Sequence, residues 1–89
     1  MIGFRRRRPQ ITVYTRTGCK LCVVAERIVH RVAYRVADVD IVNVDADPEL
    51  IERYTLRVPV VAVDGVELFE YEVDADQLRT VLRHARRTP

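Results

Sequence analysis

Hydrophobic residues change their spacing along this chain, and each change predicts an element. In QITVYT, residues 10–15, Ile11, Val13 and Thr15 share one face, which predicts a strand after Pro9. Thr17 and Gly18 supply a bend. From Lys20 to about Val36 the apolar positions Leu21, Val24, Ala25, Ile28, Val32 and Val36 recur at threes and fours, the pattern of an amphipathic helix. Its valines are poor helix formers, so packing must hold it. Alternation returns in DVDIVNVDA, residues 38–46, as a second strand. In DPELIERY, Asp47 is a natural N-cap, Pro48 suits the first helical position and Glu49 lies where the helix dipole favours negative charge. A short helix to about Tyr54 follows. The β-branched run VPVVAV then meets Asp64-Gly65, the strongest short-range hairpin signal, and VELFEY continues with Val66, Leu68 and Glu70 alternating against Glu67, Phe69 and Tyr71. Asp74 and Gln77 form a capping pattern before a last helix striped by Leu78, Val81 and Leu82.

The order β-α-β-α-β-β-α defines an α/β chain. A right-handed crossover makes the first two strands parallel and the hairpin makes the last two antiparallel, so a four-stranded mixed sheet with three helices on its faces is expected. At 89 residues the chain has room for one core. We expect a domain over residues 10–89, behaving as a monomer, and a basic, flexible N-terminal tail over residues 1–9. VPVVAV is far short of the ~20 apolar residues that span a bilayer, which argues against a membrane partner. The basic start MIGFRRRRPQ has no apolar stretch behind it, so it is not read as a secretory signal and the chain is placed in the cytoplasm. Net charge is only +2, with the excess near the two ends, in Arg5 to Arg8 and in RHARR at 83–87. The arginine run lacks the interleaved aromatics of a nucleic-acid module and reads as a solvated tail.

Two cysteines, Cys19 and Cys22, are the only ones in the chain. A permanent staple is disfavoured by a reducing compartment, and closing so small a loop contributes only ~2 kcal/mol. A closed zinc site needs four ligands. His30 lies ~12 Å along the same helix from Cys22 and His84 is on the last helix, so no metal site is expected. The strand-turn-helix boundary instead puts Cys19 at a helix start, facing unpartnered N–H groups and the positive end of the dipole, with Arg16 and Lys20 nearby. Each feature favours the thiolate. A cysteine with pKa ~8.5 is only ~3 % thiolate at neutral pH, and lowering it to ~7 makes about half of it reactive. Cys22, one turn inside the helix, has no such help and is expected to stay a thiol until it resolves a mixed disulfide.

ITVYTRTGCKLC followed by a helix, with VPVV after the second helix, resembles the glutaredoxin branch of the thioredoxin superfamily, in particular the small glutaredoxin-like proteins with a variable active dipeptide. The resemblance spans residues 10 to about 85. It implies a thioredoxin/glutaredoxin fold and a thiol-disulfide oxidoreductase that reduces disulfides, with Cys19 attacking and Cys22 resolving. Pro59 would be the cis-proline facing the cysteines, and Val58 would offer its backbone to a substrate strand. From their positions, Tyr14, Arg16 and Tyr54 are candidates to line the groove beside Cys19, with Lys20 a further substrate contact, the alternative being strand or helix residues with their polar ends in solvent. Protein or low-molecular-weight disulfides would be the substrates, a reductase or thiol donor the source of electrons, and no cofactor would be bound. The chain departs from typical glutaredoxins in two places. Lys20-Leu21 replaces a proline-containing dipeptide, and EVDADQ, residues 72–77, replaces a Gly-Gly turn and a glutathione-holding Asp. Asp74 reads as a helix cap, so glutathione stays open as a reductant beside a thioredoxin-reductase-type donor. The alternative class is a redox-inactive or metal- or iron-sulfur-binding module on the same fold.

Overall fold

The computed structural model describes residues 8–87. Strand β1 (Gln10–Thr15) is followed by helix α1 (Lys20–Ala33), strand β2 (Asp38–Asn43), a 3-10 turn (Val44–Ala46), helix α2 (Pro48–Tyr54), strands β3 (Val60–Val63) and β4 (Val66–Glu70), and helix α3 (Ala75–Arg87). The sheet order is β2-β1-β3-β4. β1 runs parallel to β2, and β3 is antiparallel to both β1 and β4. This is the expected thioredoxin-like α/β fold. Among the described residues no helix is long and apolar enough to cross a membrane.

On one face of the sheet, Ile11, Val13, Val61 and Val63 meet Ala25, Val29 and Val32 of α1 and Leu78 and Leu82 of α3 in one apolar cluster. The stripe read from the sequence attaches α3 to the sheet, whereas the buried face of α1 is turned from the expected one: Ala25 and Val32 are buried as expected, but Leu21 and Val24 are exposed and Val29 and Ala33 pack in their place. α1 stops earlier than its periodicity indicates. Arg35 takes a left-handed φ of 65°, and the N–H groups of Val36 and Ala37 fold back onto the Ala33 carbonyl at 2.9 and 3.0 Å. Val36 still packs against the core from the turn. β2 also ends early, because the Asn43 side chain accepts the Asp45 N–H at 2.9 Å and replaces the ladder with a local turn.

The hairpin turns at Asp64 and Gly65, with φ of 50° and 84°, the paired left-handed geometry that Asp-Gly favours. β4 does not alternate as expected. Val61 pairs with Phe69 and Ala62 with Glu67, so Leu68 is an extra, bulged residue. Phe69 then joins the apolar cluster, while Val66 and Leu68 are exposed.

Two residues ahead of β1 are already tied to the domain. Pro9 is fully buried and its carbonyl accepts the Asp38 N–H at 2.9 Å, while Arg8 Nε pairs with Asp38 Oδ1 at 3.1 Å. The rest of the expected tail, including Arg5 to Arg7, lies outside the described residues.

Candidate active site

The chain leaves β1 at Thr15, turns through Gly18 with φ 76°, and places Cys19 as the N-cap of α1 in extended geometry. The Cys19 Sγ accepts the Cys22 N–H at 3.1 Å, and the Cys19 carbonyl accepts the Val23 N–H at 3.2 Å. The sulfur thus occupies the place a capping oxygen would fill, where unpaired helical N–H groups stabilise negative charge. Cys19 and Cys22 are joined as a disulfide with Cα atoms 5.2 Å apart. Their surroundings differ: Cys22 is 1 % exposed, whereas Cys19 is only partly buried. An incoming sulfur therefore has access to Cys19 alone.

Behind the pair lies a second apolar cluster, made of Cys22, Val44, Tyr54, Val58 and Val60, with Tyr14, Cys19 and Leu50 at its edge, joining the start of α1 to the sheet face under α2. The segment between α2 and β3 thereby reaches the cysteines. The Val58-Pro59 peptide is cis. Among the described residues the backbone N–H and carbonyl of Val58 have no hydrogen-bond partner. Tyr71 fastens this segment twice, its N–H donating to the Pro59 carbonyl at 2.8 Å and its hydroxyl to the Leu56 carbonyl at 2.7 Å. Tyr71 has a left-handed φ of 67°, uncommon for a non-glycine residue, and nothing in the local sequence signals that role.

The tyrosines form the polar half of the cluster. Tyr14 and Tyr54 stack with ring centroids 4.2 Å apart, and the Tyr54 hydroxyl donates to Glu67 at 2.7 Å. Arg57 pairs with Glu67 and with Glu70, the latter at 2.8 Å. Burial, then the bond to Glu67, pushes the Tyr54 hydroxyl up to about 12. The Tyr54 and Arg57 donors hold the Glu67 carboxyl below its usual range, and the two glutamates raise the Arg57 guanidinium above its own. The bulge at Leu68 makes this network possible, because the extra residue leaves Glu67 and Glu70 on one face.

Tyr14 and Val58 are thus brought beside the cysteines. Arg16 is not aimed at them: its guanidinium pairs with Asp45 at 3.3 Å and donates to the Thr55 carbonyl at 3.3 Å, tying the loop before Cys19 to the end of α2. Lys20 is exposed on the first turn of α1. Asp74 caps α3, its carboxylate accepting the Gln77 N–H at 3.0 Å. Among the described residues, no three His, Cys, Asp or Glu side chains converge as a metal site would require.

A two-cysteine helix start beside a cis-proline loop, on this sheet order, defines a thioredoxin-fold protein with a CxxC pair. The chain belongs to the family described as Glutaredoxin-like domain (DUF836), whose model matches residues 10–83. An uncharacterized protein of Mycobacterium tuberculosis H37Rv is 37% identical over 78 residues, covering 81% of this chain and 80% of its own. A solved structural-genomics target protein from X. campestris is 35% identical, covers 83% of this chain and 96% of its own, and superposes with a TM-score of 0.69. A mutant thioredoxin from Halobacterium salinarum NRC-1 shares the fold at 24% identity and a TM-score of 0.66, covering 88% of this chain and 74% of its own.

Proposed function

We propose that this protein is a thiol-disulfide oxidoreductase that reduces protein or low-molecular-weight disulfides in the cytoplasm, acting as a monomer. In the reduced state, Cys19 thiolate attacks one sulfur of a substrate disulfide, breaking that bond, and the departing thiolate takes a proton. The Cys22 thiol then loses its proton and attacks Cys19 Sγ, releasing the second substrate thiol and forming the Cys19-Cys22 disulfide. Two electrons and two protons have passed to the substrate. A reductase or a thiol donor returns them. Because Asp74 is engaged as a cap, we favour a dithiol donor over glutathione. The free backbone of Val58 supports docking of the substrate as an added strand.

The observation that carries the reading is the asymmetry of the pair: an accessible sulfur at the helix N-cap and a buried one within disulfide reach. Cys22→Ser should accumulate a mixed disulfide at Cys19, seen by intact-mass spectrometry, while Cys19→Ser should form none and drop to background in a disulfide reductase assay. If neither variant differs from wild type, the reading fails. Stoichiometric zinc or iron in anaerobically purified protein without reductase activity would favour the metal-binding alternative.

A further inference from the structure

A groove of about 620 Å³ opens beside the cysteines between the exposed side of α1 and the segment joining β4 to α3. Its apolar wall is Leu21, which lies inside the CxxC dipeptide, and Val24, at 49 % and 51 % exposure, with Ile28 deeper. Its other wall is Glu70, Tyr71, Glu72 and Asp74. Tyr71 on its wall is bonded to the Pro59 carbonyl, so the groove adjoins the cis-proline loop on one side and the active dipeptide on the other.

The charge here is the reverse of the whole chain's. The net charge is +2, yet the residues lining the groove include three carboxylates and no lysine, arginine or histidine. Glu70 is offset by Arg57, and Asp74 caps α3 through one oxygen, whereas Glu72 has no cationic partner among the described residues. A half-exposed apolar wall facing acids fits a peptide with an apolar side chain near its cysteine and a basic one beyond. Glutathione, whose two carboxylates outnumber its one amine, matches this charge less well.

We propose that the substrates are protein disulfides whose cysteine is flanked by apolar and basic residues, read by Leu21 and Val24 on one wall and by Glu72 and Asp74 on the other. The proposal rests on the oxidoreductase reading above and adds the substrate class to it. The chemistry is the same two-electron exchange, the substrate disulfide being reduced to two thiols as Cys19 and Cys22 are oxidised.

Three probes separate the two claims in stopped flow with the reduced protein: neutral 2-hydroxyethyl disulfide, and two peptide disulfides identical except for flanking lysines or glutamates. Oxidation by the neutral probe supports the redox reading on its own. The lysine peptide should react roughly tenfold faster than the glutamate peptide at low ionic strength. That ratio should shrink on adding salt, because the carboxylates are exposed. Glu72→Lys should bring the ratio to about one or below, and Glu72→Gln part of the way, both read as a ratio within one variant. Equal rates for the two peptides in wild type, or a ratio untouched by salt and by both substitutions, overturns the proposal while leaving the redox reading standing. If no probe reacts, both fall.

Discussion

The two faces of the sheet are built on different principles. The face covered by α1 and α3 is apolar throughout, from Ile11 and Val13 to Leu78 and Leu82, and its contacts are non-directional. The face toward α2 holds two stacked tyrosines and a carboxylate-guanidinium network, and its cluster reaches the cysteines at the start of α1, where each contact depends on geometry. One side supplies stability, and the other supplies chemistry in a fixed arrangement. Such a division lets the CxxC end carry a reactive sulfur, a left-handed tyrosine and unpaired backbone without depending on them for the fold.

The largest test of that division is Leu78→Ala. Leu78 is fully buried in the apolar face, so its truncation should cost roughly 2–5 kcal/mol in urea denaturation. Disulfide exchange per folded molecule should stay near wild type. A collapse of exchange in the folded fraction would mean that the faces are coupled. Tyr54→Phe sharpens the other side. Removing the hydroxyl that donates to Glu67 should cost about 1 kcal/mol at neutral pH. It should also change the alkaline limb of stability. The fold favours neutral Tyr54, so that contribution is complete below the unfolded pKa of about 10 and is lost as pH rises toward about 12. Glu67 acts in the opposite sense, its contribution fading as pH falls below its unfolded value, because the fold favours its charged form. Thermal melts from neutral to alkaline pH should show a steeper decline in wild type than in Tyr54→Phe, and parallel curves would remove Tyr54 from the account.

The same comparison explains what could be read in advance. Periodicity reports burial, so the β-branched run of β3 and the Leu78-Leu82 stripe of α3 were legible, and with them the order of elements; α1 was legible as a helix, but its valine-rich sequence offers apolar residues on more than one face, and Val29 is buried where Leu21 and Val24 were expected. Capping chemistry is local, so Asp47 and Asp74 were legible as well, and their carboxylates accept the Glu49 and Gln77 N–H groups at 2.8 and 3.0 Å. The bulge at Leu68 was not, because strict alternation in VELFEY is satisfied equally well by the wrong face. With it went Phe69 as a core residue and Glu67 as the partner of Tyr54. Arg16 was legible as a loop residue before Cys19, but its pairing with Asp45 was not, since Asp45 reaches it only through the tertiary fold. Tyr71 was invisible for a different reason: a left-handed tyrosine is held by the Pro59 and Leu56 carbonyls, not by local preference.

The proposed chemistry requires Cys19 to be the reactive sulfur and Cys22 the protected one. Brief alkylation of the fully reduced protein with iodoacetamide near neutral pH, resolved by peptide mass spectrometry, measures it directly. Cys19 should be modified at least roughly tenfold faster than Cys22, as expected for a partly exposed N-cap thiolate beside a buried thiol. Equal labelling of the two, or faster labelling of Cys22, would contradict it.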